Sequence, residues 1–268
     1  MLELLLTHPA MLGDLQIYDS TWIALAILAG VFVLSGALTV GLARLLTRLL
    51  EPGRVYPLYG FHYGVERLIA ATSHNPFLTT LFGDSCAIPH YLRTLGWRMP
   101  EFEQTGSNFG LDVRQAIPAL SEIGGGTLVS DGLSIMNGEY SSGSFRVMPV
   151  SIGKRNFLGN AISYPSGGRT GDDCLLATKV LVPTHGPVRS GVGLLGSPPF
   201  EIPRSVRRDH QFDHLAAPEE RRRRLRAKTR HNAVTMLLYL IVWYVLLAGL
   251  VAISLSPLGG IGLTRFDG

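Results

Sequence analysis

Between Ile152 and Pro183 the chain repeats itself every six residues. Counting in sixes from Ile152 gives Leu158, Tyr164, Thr170, Leu176 and Val182; the residues that follow are Gly153, Gly159, Pro165, Gly171, Ala177 and Pro183. A large or β-branched residue followed by a small or turn-forming one, at a fixed short period, marks a solenoid built of hexapeptide turns. The large side chain points into a narrow prism, and the next residue sits where the backbone bends. Glycine suits that corner because it has no Cβ. Ile123, Val129 and Ile135 show the same spacing before it breaks at Asn137–Val150. The competing reading is an antiparallel domain with this spacing by chance. Six positions in register favour the repeat, with Tyr164 and Thr170 as its least apolar occupants. The expected fold is mainly β: a left-handed parallel β-helix over residues 119–204, flanked by transmembrane and amphipathic helices.

The flanks follow from where the apolar residues lie. Mean hydropathy is +0.24 with only 16% of residues charged, and the apolar excess sits in two runs. Trp22–Leu46 meets its first charge at Arg44, long enough as a helix to cross a bilayer core of about 30 Å. A signal peptide would carry its apolar run nearer the start and end it at a small-residue cleavage site. Here Asp14 and Asp19 precede the run, and Arg44 and Arg48 follow it. The second run, Ala233–Leu255, has no charge and is preceded by seven basic residues between Glu219 and His231. With a sequence pI near 9.2, such a cluster could suggest nucleic acid. Beside a membrane helix it reads instead as a cytoplasmic anchor that attracts anionic lipid, so the membrane is the expected partner and nucleic acid is not.

The organisation predicted from these features is an external tail at 1–21, a transmembrane helix at 22–46, an amphipathic and aromatic helical segment at 47–118, and the repeat lobe at 119–204. A basic juxtamembrane linker follows at 205–232, then a transmembrane helix at 233–255 and an external tail at 256–268. Arg44, Arg48 and Arg54 after the first span, and the arginine run before the second, put the central domain in the cytoplasm of a two-span cell-membrane protein. Cys86 and Cys174 form no disulfide framework and read as buried thiols in a reducing compartment. In the segment after the first span, Tyr56, Tyr59, Phe61, Tyr63, Phe77, Phe82, Tyr91 and Trp97 recur among polar residues, and Val65, Leu68, Ile69 and Thr72 have helical spacing. Short helices lying at the membrane interface or packed on the β lobe both fit this pattern. His62, His74 and His90 are scattered without metal-ligand spacing, so no metal site is expected.

The order of motifs carries a family likeness. EPGRVYPLYG follows the first span, then IPHYLRTLGW, YSSGSFRV (Tyr140–Val147), the hexads, and GLLGSPPFEIPR (Gly193–Arg204). Together, over Trp22–Leu255, they resemble one membrane-embedded, acyltransferase-like lobe of the terminal region of poly-amino-acid synthetases, such as epsilon-poly-lysine synthetase-like non-ribosomal peptide synthetases. The resemblance implies similar β-helix lobes in threefold or pseudo-threefold array, adenylation and carrier domains as partners, and phosphopantetheine-linked substrates on the carrier rather than a cofactor bound by this lobe. No adenylation phosphate loop, GxSxG elbow or Walker loop appears. Gly124-Gly125-Gly126-Thr127-Leu128 lacks the serine of a carrier site.

Chemistry, if this lobe performs any, belongs in the break MNGEYSSGSFRVMPV, because excursions from a solenoid form functional faces. A thioester-using lobe needs a base within reach of the attacking amine, and this break holds no histidine. Glu139 is the candidate base and Ser142 the candidate carbonyl partner; His185, in PTHGPVRSG beyond the last hexad, is the alternative base. Against these roles stands a reading in which Asn137, Glu139, Tyr140, Ser141, Ser142 and Arg146 cap the coil. The sequence thus points to a scaffold lobe supporting amide-bond formation between carrier-bound amino acids. The alternatives are a catalytic lobe with a thioester donor or a coenzyme A acyltransferase. The orientation has a direct test: a cysteine introduced at Ser190 should resist an impermeant thiol reagent in intact cells and react once the cells are opened. Labelling in intact cells reverses the topology.

Overall fold

The computed structural model describes residues 9–83, 85, 87–100, 109–206 and 217–255; Cys86 lies outside them. The chain divides into two compact units, Met1–Ser35 with Ala233–Gly268, and Gly36–Asn232. Helix α1 runs Pro9–Thr47, so the expected tail is already helical from residue 9. Within α1, Thr21–Thr47 is long and apolar enough to cross a membrane. Several of its large side chains, Val33 and Leu34 among them, are exposed, while Val40 and Leu46 pack in part against the cores.

Strand β1 (Val55–Pro57) and four helices follow: α2 (Phe61–Ser73), α3 (Pro76–Gly83), α4 (Ile88–Leu95) and α5 (Phe109–Asp112). Ile88, Leu92 and Leu95 of α4 and Phe109 of α5 join the main core with Ile123 and Val129, so these two helices pack on the β structure. Helix α4 stops at Gly96, whose left-handed φ of 118° returns its N–H to Arg93 O. The face of α2 differs from the expectation. Val65 and Ile69 are buried as the spacing predicts, but Glu66 and Ser73 are buried with them and Leu68 is 44% exposed. The Tyr140 hydroxyl meets Glu66 on the inner side, which stabilises this rotation of the helix.

After β2 (Arg114–Gln115) the repeat begins. Strands β3 (Ser121–Ile123), β4 (Leu128–Val129) and β5 (Ser134–Ile135) form the first rung; β6 (Gly138–Tyr140) and β7 (Ser144–Val147) interrupt it. Strands β8 (Val150–Ile152), β9 (Phe157–Asn160) and β10 (Ser163–Tyr164) make the second, and β11 (Arg169–Thr170) and β12 (Leu175–Thr178) the third. Consecutive strands of a rung fall in different sheets, and each pairs in parallel with its counterpart one rung later. Ile123 lies beside Ile152, and Ile152 beside Thr170. Val129, Leu158 and Leu176 form the second column, and Ile135 and Tyr164 the third. Ile152 to Thr170 is 18 residues, three hexads; Ile123 to Ile152 is 29, and the eleven extra residues are the excursion Asn137–Val147. The repeat also continues further than the hexads alone predict: β13 (Gly193–Leu195) sets Leu194 on Leu176. Antiparallel β14 (Phe200–Ile202) then covers β13. At the other end Arg98 bridges Glu122, donating from its N–H to Ser121 O and accepting from Ile123 N–H. At opposite ends of the stack Arg98 thus extends the sheet of β3 and β14 the sheet of β13, while β4 has no strand on its outer edge among the described residues.

The inward residues are all buried. Tyr164 and Thr170, the least apolar of them, satisfy one another: their hydroxyls lie 2.8 Å apart inside the prism, so neither polar group is left without a partner. At the corners the glycines answer to the neighbouring rung. A Cβ on Gly153 would sit 2.2 Å from Gly171 O. A second corner demand comes three residues after seven of the inward positions, and again at Gly191, three residues after the exposed Val188. Gly126, Gly132, Arg155, Ala161, Gly167, Asp173, Lys179 and Gly191 all take φ between 52° and 76°, although four of them carry a side chain that disfavours it. Between these corners Asn156, 1% exposed, donates to Gly171 O at 2.9 Å and accepts from Cys174 N–H at 2.6 Å, tying one rung to the next. Burial pushes the Cys174 thiol up, in keeping with an inert, unpaired cysteine.

Helix α6 spans Pro218–Leu255, so the basic stretch expected as a linker is helical from residue 218. Arginine, lysine, leucine and alanine favour helix, Glu219 and Glu220 occupy the first turn where the dipole favours acids, and Arg224 donates to Glu220 at 2.8 Å. Arg222–Ser254 also meets the length and hydropathy needed to cross a membrane.

The internal hydroxyl pair gives a stability test. Thr170→Val keeps the shape and strands the Tyr164 hydroxyl, for an expected loss of about 1–3 kcal/mol. Adding Tyr164→Phe should restore most of it, a coupling measurable by denaturant unfolding as a double-mutant cycle. Additive losses would show that the two hydroxyls do not depend on each other.

Candidate functional site: the hairpin cleft

The break in the repeat is a β-hairpin, and it leaves and rejoins the stack through one clamp. Asn137, fully buried, accepts from Ile117 N–H at 2.9 Å and donates to Leu120 O and Met148 O. Its own carbonyl accepts from Met148 N–H and from the Ser166 hydroxyl, both at 2.8 Å. For Asn137 the capping role anticipated from the sequence is the observed one. Beyond the clamp, β6 and β7 pair antiparallel, and β1 adds to β7 with Tyr56 opposite Phe145. An open loop would leave these backbone groups to water; the three-stranded sheet satisfies them internally.

Strand alternation gives this hairpin two chemical faces. Glu139 and Arg146 are opposite one another and point the same way; Tyr140 and Phe145, the next pair, point the other way. The first face forms one wall of a cleft of 630 Å³. The rung corner Pro165–Gly167 with Arg169 forms the second wall, and the loop Pro183–Val188, which carries His185, forms the third. Two of the three residues singled out from the sequence, Glu139 and His185, thus line the same cleft although 46 positions apart. Ser142 does not line it: it sits exposed at the turn between β6 and β7.

The charges within the cleft are partly committed. Arg146 Nε donates to Glu139 Oε2 at 2.8 Å, with both side chains about half exposed. Such a pair adds little stability, but it occupies the carboxylate that a general base would need free. His185 lies exposed in the third wall, and imidazole is the side chain suited to taking and returning a proton near neutrality. Arg169 adds a second guanidinium. Sequence reading passed over Arg169 because it precedes Thr170, the weakest hexad position; alternation along β11, with Thr170 inward, was the signal that aims it outward. Among the described residues no group of three or more His, Cys, Asp or Glu is placed to hold a metal ion.

The second hairpin face rests on α2. Tyr140 stacks on Phe145, with centroids 6.0 Å apart, and Tyr63 meets both edge-on. Under them lies Glu66, 1% exposed. Burial raises its pKa above the ordinary carboxylate value, partly offset by a hydrogen bond with Tyr140 and by the Arg67 charge, while Oε2 has no hydrogen-bond partner among the described residues.

Comparison with known proteins finds no matching family model and no matching curated protein. Among solved structures, a maltose O-acetyltransferase from Clostridium difficile 630 is 16% identical, with a TM-score of 0.42 over 58% of this chain and 94% of that one. A galactoside acetyltransferase in complex with coenzyme A is 14% identical, with a TM-score of 0.39 over 63% and 93%. A hexapeptide-repeat-containing acetyltransferase from Vibrio cholerae is 17% identical, with a TM-score of 0.32 over 65% and 93%. These neighbours are hexapeptide-repeat acetyltransferases, and at such scores they assign no activity to this chain.

Glu66 gives the site a pH signature. A carboxyl whose folded pKa is raised binds its proton more tightly folded than unfolded. Its stability contribution is fully present below the unfolded value of about 4.3, is lost as pH rises through the folded pKa, and then stays level. Glu66→Gln removes that loss, so the variant should match the parent's Tm at pH 4 and exceed it at pH 8. Equal Tm values at both pH values would show that burial does not raise the Glu66 pKa.

Proposed function

We propose that this chain is a membrane-anchored acyl-transfer lobe that faces the cytoplasm, built on a left-handed parallel β-helix and belonging to a machine of the poly-amino-acid-synthetase kind. The observation that carries the reading is the convergence of His185, Arg169 and the Glu139–Arg146 pair on one cleft at the side of the stack. The cleft is open enough to admit an extended thioester arm, and its guanidinium groups favour an anionic one, such as a phosphopantetheine-linked aminoacyl group on a carrier domain. In the proposed step, His185 takes a proton from the attacking amine as its nitrogen bonds to the thioester carbonyl carbon. The carbon–sulfur bond then breaks, and the thiolate leaves with the proton that His185 held. Arg146, fixed by Glu139, and Arg169 hold the arm. No cofactor resident in this lobe is part of this scheme. Adenylation and carrier domains would supply the thioester, and similar lobes would stand beside this one. Because Arg98 and β14 each cover a strand edge at opposite ends of the stack, side-by-side rather than end-to-end association is the arrangement proposed.

A second reading, a scaffold lobe without chemistry, is favoured by the structural duties of Asn137 and the occupied carboxylate of Glu139. The two readings differ at His185. With the full chain in nanodiscs, an aminoacyl-pantetheine thioester and an amine acceptor, His185→Ala should lower amide formation by about 10²- to 10⁴-fold while the fold is kept. Glu139→Gln should act more mildly, by loosening Arg146. Loss below tenfold for His185→Ala, or no amide formation by the parent, would leave the scaffold reading in its place.

A further inference from the structure

Helix α2 is turned the wrong way for a helix in water. Its buried stripe includes Glu66 and Ser73, whose Oε2 and Oγ find no hydrogen-bond partner among the described residues. Its outward stripe, at spacings of three and four, is Phe61, Gly64, Leu68 and Ala71, all exposed. Phe61 is 71% exposed, and beside it Tyr59 is 83% and Val55 62% exposed. Tyr59 also holds φ at 62°, in the left-handed region that an aromatic residue rarely adopts. A helix rotated by one position would have buried Leu68 and set Glu66 in water. The observed rotation keeps a contiguous apolar surface outside, and such surfaces mark contact with something other than water.

The same stretch is sorted by charge. From Arg44 to Ala71 the exposed charged residues are Arg44, Arg48, Arg54 and Arg67 against Glu51 alone, and Glu51 is paired with Arg54 at 3.0 Å. Tyrosine and phenylalanine flanked by arginine is the composition of the boundary between hydrocarbon and headgroup. The patch also begins eight residues after Thr47, where a segment long and apolar enough to cross a membrane ends. We propose that β1 and the outward face of α2 lie in the headgroup region of the membrane. Tyr59, Phe61 and Leu68 enter the acyl boundary, and Arg48, Arg54 and Arg67 rest on anionic lipid phosphates. This inference rests on the membrane location put forward above, and it adds a second contact independent of either span. Its consequence is orientation: α2 carries the hairpin on its inner side through Tyr63 and Tyr140, so a surface-bound α2 fixes the attitude of the cleft to the bilayer.

The test uses the full chain in nanodiscs of phosphatidylcholine with phosphatidylglycerol. Benzoylphenylalanine is placed singly at Phe61, at Leu68, at Val33 within the first apolar helix, and at the exposed cleft residue Val188. After irradiation, mass measurement should find lipid adducts at 61, 68 and 33, each at about tenfold the yield at 188 or more. Lipid adducts at 33 but not at 61 and 68 overturn this inference and leave the membrane location intact. Cross-linking at 61 to a second protein chain, identical or not, overturns it in favour of a protein partner. Absence of lipid adducts even at 33 removes the membrane location and this inference together.

Discussion

Everything in the central unit depends on how closely one rung approaches the next. Parallel pairing sets neighbouring strands about 4.8 Å apart, and with three strands per 18 residues the corners must meet that spacing as the strands do. This leaves no room for a Cβ between Gly153 and Gly171 or between Gly159 and Ala177. It also sets inward residues of successive rungs directly on one another, which gives the columns Ile123–Ile152–Thr170 and Val129–Leu158–Leu176–Leu194, with Leu133, Ile162, Cys174 and Val180 buried beside them. Where an inward residue is polar, its partner must come from the same narrow space. Tyr164 and Thr170 meet that condition in neighbouring hexads of the stack.

Those contacts explain which features could be read from residues alone. The inward columns were legible because size and branching recur with the period. The clamp role of Asn137 was legible in kind, since the hexads stop there. The left-handed corners were not: Arg155, Ala161, Asp173 and Lys179 occupy them without glycine, and only the stacked backbone reveals the demand. Two of these are held across rungs, Arg155 donating to both carboxylate oxygens of Asp173, so an ion pair stands where a glycine signal was absent. Leu194 lies twelve positions after Val182 with no inward hexad residue between, and its place in the second column appears only through pairing with Leu176.

The stripe that spacing picks out on α2 is split between inside and outside for a physical reason that extends to the site. Helical spacing identifies a stripe, but it weighs Leu68 above Glu66 because it presumes water outside and an apolar interior. Here the interior offers Glu66 a tyrosine hydroxyl, and the outside carries an aromatic, arginine-flanked surface. Similarly, the cleft could not be assembled from the sequence, because its walls come from the hairpin, a rung corner and a loop that lie apart along the chain. Periodicity locates strands within the stack; it says nothing of how far an excursion leans along its side.

The hairpin joins these parts into one mechanical element. Because side chains alternate, β6 and β7 must send Glu139 and Arg146 toward the cleft if Tyr140 and Phe145 are to pack on α2. A shift of one residue in register would exchange the faces, placing charges against Tyr63 and rings in the cleft. The Asn137 clamp at the base and the pairing of β1 with β7 oppose that shift. Glu66 does so at the far side, where it meets Tyr140. The charged wall of the cleft is thus held from behind by α2, and the geometry of a site on the side of the stack is set by residues that never enter it.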